Sequence, residues 1–144
     1  MIRIGTQVHV FEAGAYAIGD PCYIINDDDW NELIKDTGHF GSRTSIYRDT
    51  AWNWNDGSYF FKREKCFAYS TYVGDGEYYL EDEGKKVETL GVDSGLLGIM
   101  PENVAIKNKY PFTPWVHYHT FEDDFEVMRT VDGVFYFGYM RVQT

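Results

Sequence analysis

Apolar and aromatic residues alternate with polar ones at a period of two through many short stretches, and helical spacing is sustained in one place only. A period of two sends successive side chains to opposite faces of an extended chain, so the pattern predicts antiparallel sheet. Gln7 to Phe11 reads as a strand, Glu12-Ala13-Gly14 as a turn, and Ala15 to Ile18 as the returning partner of an N-terminal hairpin. Gly19-Asp20-Pro21 then breaks the line, because Pro21 removes a donor and biases Asp20 toward extended backbone. Cys22 to Ile25 starts a new segment. Asn26-Asp27-Asp28-Asp29, followed by Trp30, Leu33, Ile34 and Lys35, predicts one short helix with carboxylates at its positive end, finished by Gly38. His39 to Asn55 is polar and irregular and reads as a mobile loop, closed by the turn-forming run Trp52 to Gly57.

Farther on, Ser58 to Phe61 and Cys66 to Val73 read as strands, and Gly74-Asp75-Gly76 turns the second of them into Glu77 to Leu80 as another hairpin. Lys86 to Val92 leads through Asp93-Ser94-Gly95 to Leu96–Met100, and Pro101 to Val104 suits a single helical turn. After the proline-containing stretch Tyr110 to Pro114, Trp115 to Thr120 pairs with Phe125 to Thr130. Val131-Asp132-Gly133 then feeds a last strand, Val134 to Val142. No linker, repeat or low-complexity segment divides the chain, so residues 1–144 read as a single domain. The expected fold is mainly β (β-rich α+β), an antiparallel barrel or sandwich with one short helix.

Composition narrows the function. The chain has 144 residues, 18% of them aromatic, with 13 basic against 23 acidic side chains and a net charge of -10. Such a length buries roughly two thirds of the unfolded surface without needing disulfides or a structural metal. The acidic balance excludes duplex nucleic acid and anionic membranes as main partners, since both require clustered Lys and Arg. The start lacks the apolar core of a secretory signal, and no run approaches the roughly 18 apolar residues of a membrane span. A cytoplasmic protein is expected, in the host cytoplasm for a phage-encoded chain. Cys22 and Cys66, in strand-like apolar surroundings and with no CxxC pair, read as buried inert thiols. No cofactor is implied: a Walker loop and a dinucleotide fingerprint are missing, and Ser94 has no Gly-x-Ser-x-Gly elbow.

Three segments combine glycine with a carboxylate or hydroxyl: the run around Asp20, the run around Asp75, and Gly91-Val92-Asp93-Ser94-Gly95. Glycine lets backbone N–H groups approach a ligand, and equally makes tight turns. His117 and His119, two apart on a strand, share a face and would bind a divalent ion if a third ligand joined them. Packed or solvated histidines are the simpler reading. Trp52, Trp54, Tyr69 and Tyr78 belong to an aromatic surplus that suits a stacked nucleobase whose phosphates rest on the amides of the glycine loops. The same surplus suits an oligomer interface. Asp20, Trp52, Trp54, Tyr69, Asp75, Tyr78, Asp93 and Ser94 are therefore the ligand-site candidates. No catalytic residue is assigned, and His117 and His119 are the weak metal candidates.

Gly19-Asp20-Pro21 near the start and Gly91-Val92-Asp93-Ser94-Gly95 late in the chain resemble the pattern of DUF4241-type domains, which carry an early Asp-Pro and a later Gly-Val-Asp-(Ala or Ser)-Gly. The opening Gly-Asp-Pro-Cys-Tyr is also similar to that of small phage-encoded proteins. The resemblance covers about the middle two thirds of the chain and leaves Arg43 to Lys65 without a counterpart. It implies a compact β-rich domain of phage origin and gives neither Asp20 nor Asp93 a catalytic role. The expected function is a non-enzymatic small-ligand-binding protein of phage or mobile-element origin. It would be a homo-oligomer that sequesters a nucleotide-derived immune signal such as a cyclic nucleotide or an ADP-ribose derivative. Two alternatives stand beside it: a metal-dependent hydrolase using His117 and His119, and an acidic protein-binding inhibitor.

Overall fold

The computed structural model describes residues 5–37, 57–105 and 115–144. The loop expected at His39 to Asn55, the turn at Trp52 to Asp56 with both of its tryptophans, and the stretch Tyr110 to Pro114 lie outside these residues. The strands are β1 (His9–Phe11), β2 (Gly14–Gly19), β3 (Ser58–Phe61), β4 (Glu64–Ser70), β5 (Gly76–Asp82), β6 (Lys85–Val92), β7 (Leu96–Pro101), β8 (His117–Phe121), β9 (Phe125–Arg129), β10 (Val134–Phe137) and β11 (Met140–Gln143). The helices are α1 (Pro21–Ile24) and α2 (Asp27–Thr37), with a 3-10 turn at Glu102–Val104.

Two antiparallel sheets face each other, one in the order β1-β9-β10-β11-β5-β6 and the other β3-β4-β7-β2-β8. The arrangement is a sandwich, and the barrel alternative is set aside. Inward side chains of both sheets, including Phe11, Ile18, Phe67, Leu80, Leu90, Ile99, Val127, Phe135 and Val142, form the main core. A second core lies on the other side of the five-stranded sheet, where Ala17, Tyr59, Cys66, Ala68, Leu96 and Met100 meet Ile24, Ile25 and Leu33 of the helical segment. Sheet residues consecutive in sequence, such as Ala17 and Ile18, are therefore both buried, as expected for a sheet covered on both faces.

Strand positions follow the alternation, but pairing differs from the expected hairpins. β1 pairs with β9 while β2 pairs with β7 and β8, so Glu12-Ala13 carries the chain from one sheet to the other. β4 and β5 are likewise in different sheets, and so are β8 and β9. Asp93-Ser94-Gly95 also crosses, from β6 to β7. The physical reason is that alternation says which face of a strand is apolar; it does not say whether the next strand hydrogen-bonds beside it or stacks across the core. Two of the two-residue hairpin turns, Lys62-Arg63 and Glu83-Gly84, have all four residues at positive φ, as a type I′ turn requires. The expected strand Val134 to Val142 is a hairpin bent at Gly138, φ +63°. Cys22 to Ile25, the new segment after the break, lies mostly in α1, where Pro21 takes the first helical position and Asp20, extended as expected, caps it. Helix α2 begins as predicted, with the Asn26 side chain accepting from the Asp29 N–H at 2.7 Å.

Among the described residues, no helix is long and apolar enough to cross a membrane. Cys66 is buried and Cys22 half-buried, both as free thiols, and burial pushes the Cys66 thiol far above its ordinary range.

Candidate functional site

The two Gly/Asp motifs meet. β2 ends at Gly19 and delivers Asp20, fully buried, beside the β6–β7 crossing. One carboxylate oxygen of Asp20 accepts from the Asp93 and Ser94 N–H groups, both at 2.8 Å. The other accepts from the Cys22 N–H at 2.9 Å and the Ser94 hydroxyl at 2.7 Å. Four donors satisfy one buried carboxylate, a balance that offsets the cost of removing the charge from water. Asp93 itself is exposed and accepts from the Tyr23 hydroxyl, which pushes the Tyr23 phenol above its usual range.

The β4–β5 crossing joins the same end. Thr71 donates its N–H to Gly95 O at 3.0 Å, and a Cβ placed on Gly95 would stand 3.9 Å from a carboxylate oxygen of Asp75. The Gly74 N–H donates to the Thr71 hydroxyl at 2.9 Å, and the Tyr78 hydroxyl donates to Gly74 O at 2.6 Å. Asp20, Asp93, Ser94, Asp75 and Tyr78 are thus neighbours at one end of the sandwich. The amides of Asp93, Ser94 and Gly74, which the sequence offers to a phosphate, are bonded within the chain. Ser94 is buried and donates to a carboxylate. Tyr69, 2% exposed, faces the main core with the Arg129 guanidinium 5.2 Å from its ring centre, and its strand stops at Ser70. Trp52 and Trp54 lie outside the described residues.

His117 and His119 share a face of β8 as expected, their ring centres 5.8 Å apart. They point to the rim between the sheets. His117 Nδ1 lies 3.4 Å from a carboxylate oxygen of Glu88 on β6, and His119 Nε2 is hydrogen-bonded to the Tyr139 hydroxyl. Burial holds His119 below the ordinary imidazole range, with His117 adding to the shift and Asp82 opposing it. Among the described residues no three His, Cys, Asp or Glu side chains are placed to hold a metal ion.

A cavity of about 810 Å³ opens at the other end of β2, roughly 20 Å away along the strand. Thr120, Phe121, Glu122, Asp123, Asp124 and Phe125, together with Val10, Glu126, Gly138 and Tyr139, line it. Its floor is a ring cluster: Phe121 stacks on Phe125 at 3.7 Å, His119 meets Phe121 edge-on at 4.7 Å, and Tyr139 lies 5.7 Å from Phe121. Asp124 accepts from the Ala13 N–H at 2.9 Å and so fixes the β8–β9 crossing to the β1–β2 crossing. Sequence reasoning missed this place because Gly138-Tyr139 fell in the middle of an expected strand, and the carboxylates of Glu122 to Asp124 read as a solvated or partner-facing surface. The signal present was a glycine-tyrosine pair interrupting an alternating run. Compared with known proteins, the chain matches no family model, no curated protein and no solved structure.

Proposed function

We propose that the chain is a non-enzymatic binding domain whose ligand occupies the cavity between the β8–β9 crossing and the β10–β11 turn. The observation that carries this reading is the cavity itself: a concave site of about 810 Å³, within the usual size of small-molecule sites, with an aromatic floor and an exposed ring, Tyr139, at its edge. Two further features support it. The Asp20–Ser94 pair, the arrangement nearest to a catalytic dyad, is consumed in bracing the start of α1 to the β6–β7 crossing, and His117 and His119 are engaged by Glu88 and Tyr139.

Charge selects among ligands. Glu122, Asp123, Asp124 and Glu126 surround the rings, so a neutral or cationic ring is favoured there and a phosphate is repelled. The finer reading is a sponge made by a phage or mobile element for a nucleotide-derived immune signal. It requires the base to sit on Phe121 and Tyr139 with its phosphates directed to solvent, because the amides of Asp93, Ser94 and Gly74 are already bonded. The test is equilibrium binding to a panel of cyclic nucleotides, cyclic ADP-ribose isomers and uncharged or cationic aromatic compounds, each ligand recovered by heat and weighed by mass spectrometry. Micromolar binding of a panel member, returned intact and weakened about tenfold by Tyr139→Ala, is expected. Absence of binding across the panel, or recovery of a chemically altered ligand, overturns the reading.

A further inference from the structure

The outward faces of the two sheets differ. Helices α1 and α2 cover that of the five-stranded sheet. Trp115 lies on the outward face of the six-stranded sheet, against Gly91 at the β6 edge. Alternation fixes what this face presents. Met140 and Val142 are buried, so Arg141 between them points out; Phe135 and Phe137 are buried, so Tyr136 points out. Val10, Tyr79, Val87 and Tyr136 are 58%, 54%, 43% and 37% exposed, more apolar surface than the open face of a sandwich normally shows.

The strand register sets Met128, Tyr136, Arg141, Glu81 and Lys86 side by side in one row across β9, β10, β11, β5 and β6. Lys86 also lies 4.4 Å over the Tyr79 ring. Arg141 reaches Gln143 at 3.4 Å through one terminal nitrogen, while its buried Nε has no acceptor among the described residues.

We propose that this face binds the same face of a second copy about a two-fold axis lying between β11 and β5. Reversing the row about that axis sets Arg141 against the partner's Glu81, Glu81 against the partner's Arg141, and Tyr136 against the partner's Lys86. The same surface is thereby its own complement, the condition for an isologous dimer. Charge argues for a second copy and for this location. Two chains of net charge -10 repel, and the row supplies two cations to one carboxylate where they would meet. About this axis four strands, β10, β11, β5 and β6, lie over their partners; about 4.8 Å apart and roughly 20 Å long, they give on the order of 400 Å² in projection, the scale of an interface below the ~800 Å² per partner of the standard size.

The test is sedimentation equilibrium on the intact chain with Arg141→Glu, Glu81→Arg and their equimolar mixture. Wild type is expected to be a dimer at about 50 µM and each variant alone a monomer, weakened at least tenfold. In the mixture every contact of position 141 with position 81 joins a cation to a carboxylate, so a heterodimer is expected to return. Loss of folding alone cannot produce that rescue. Should either charge variant fail to fold, Tyr136→Ser is the substitute and is expected to weaken the dimer at least tenfold. A wild type that is monomeric at about 0.1 mM, variants that remain dimeric, or a mixture that stays monomeric overturns the proposal.

Discussion

Replacing Asp20 with alanine removes the acceptor of four hydrogen bonds at once, and the loss is read most directly in stability. The Ser94 N–H and hydroxyl are buried, and the Cys22 and Asp93 N–H groups are partly so. A buried donor left without a partner costs about 1–3 kcal/mol, and a half-buried one less because water reaches it. Loss of the α1 cap falls within the same count, since the Cys22 N–H is the capped group. Burying the carboxylate is itself costly, and an apolar replacement of both partners would be close to neutral. Here three of the four donors belong to the backbone and stay. The expected destabilisation is therefore about 4 kcal/mol, a large share of a typical total of 5–15. Asp20→Asn preserves volume but turns an NH2 toward donors, and about 2–3 kcal/mol is expected. Ser94→Ala removes one donor and leaves the rest, for about 1 kcal/mol. Urea denaturation followed by tryptophan fluorescence measures the series. With an unchanged slope near 2 kcal/mol/M, Asp20→Ala lowers the midpoint by about 2 M. An Asp20→Ala protein within 1 kcal/mol of wild type, or a Ser94→Ala protein as damaged as Asp20→Ala, would refute the reasoning.

Other consequences follow from the same geometry. Gly98 stands in β7 opposite Ala68, and a Cβ there would lie 2.0 Å from the Phe67 carbonyl oxygen, so Gly98→Ala is expected to cost at least about 3 kcal/mol, checked by thermal unfolding. Arg63 holds φ +70° in the β3–β4 turn, and Arg63→Gly is expected to gain about 0.5–1 kcal/mol by the same measurement, relief of backbone strain exceeding the added entropy of the unfolded chain. His119 is held below its unfolded value of 6.5, so the unfolded chain binds the extra proton first. Stability is full above pH 6.5 and falls as pH drops through it, and His119→Gln flattens that fall in urea midpoints taken from pH 8 to 5. Cys66, buried with its thiol pushed up, is expected to resist a thiol reagent in native buffer and to react at the rate of unfolding, as counted by mass spectrometry.

Strand positions and the main helix were legible because they depend on local alternation and on Asn26 preceding three aspartates. Pairing was not, because Glu12-Ala13, Asp93-Ser94-Gly95 and Glu122 to Asp124 have the composition of hairpin turns and instead carry the chain between sheets. The Gly-Asp-Pro and Gly-Val-Asp-Ser-Gly motifs were visible as separate features. Only the fold brings them together across 73 and 74 residues, where their polar groups satisfy one another. Arg129 left no local signal either: it is buried, with Nε on Ser70 O at 3.2 Å, 59 residues away. The ring cluster beneath the cavity draws Phe121, Phe125 and Tyr139 from three segments, which no window of sequence displays together.

Binding at that cavity is the central claim, and the most direct measurement is mass spectrometry of the small molecules released by heat from the purified chain, wild type beside Tyr139→Ala. The account predicts a ring-containing compound released intact from wild type and reduced about tenfold in the variant. No released compound, or equal amounts from both proteins, would contradict it.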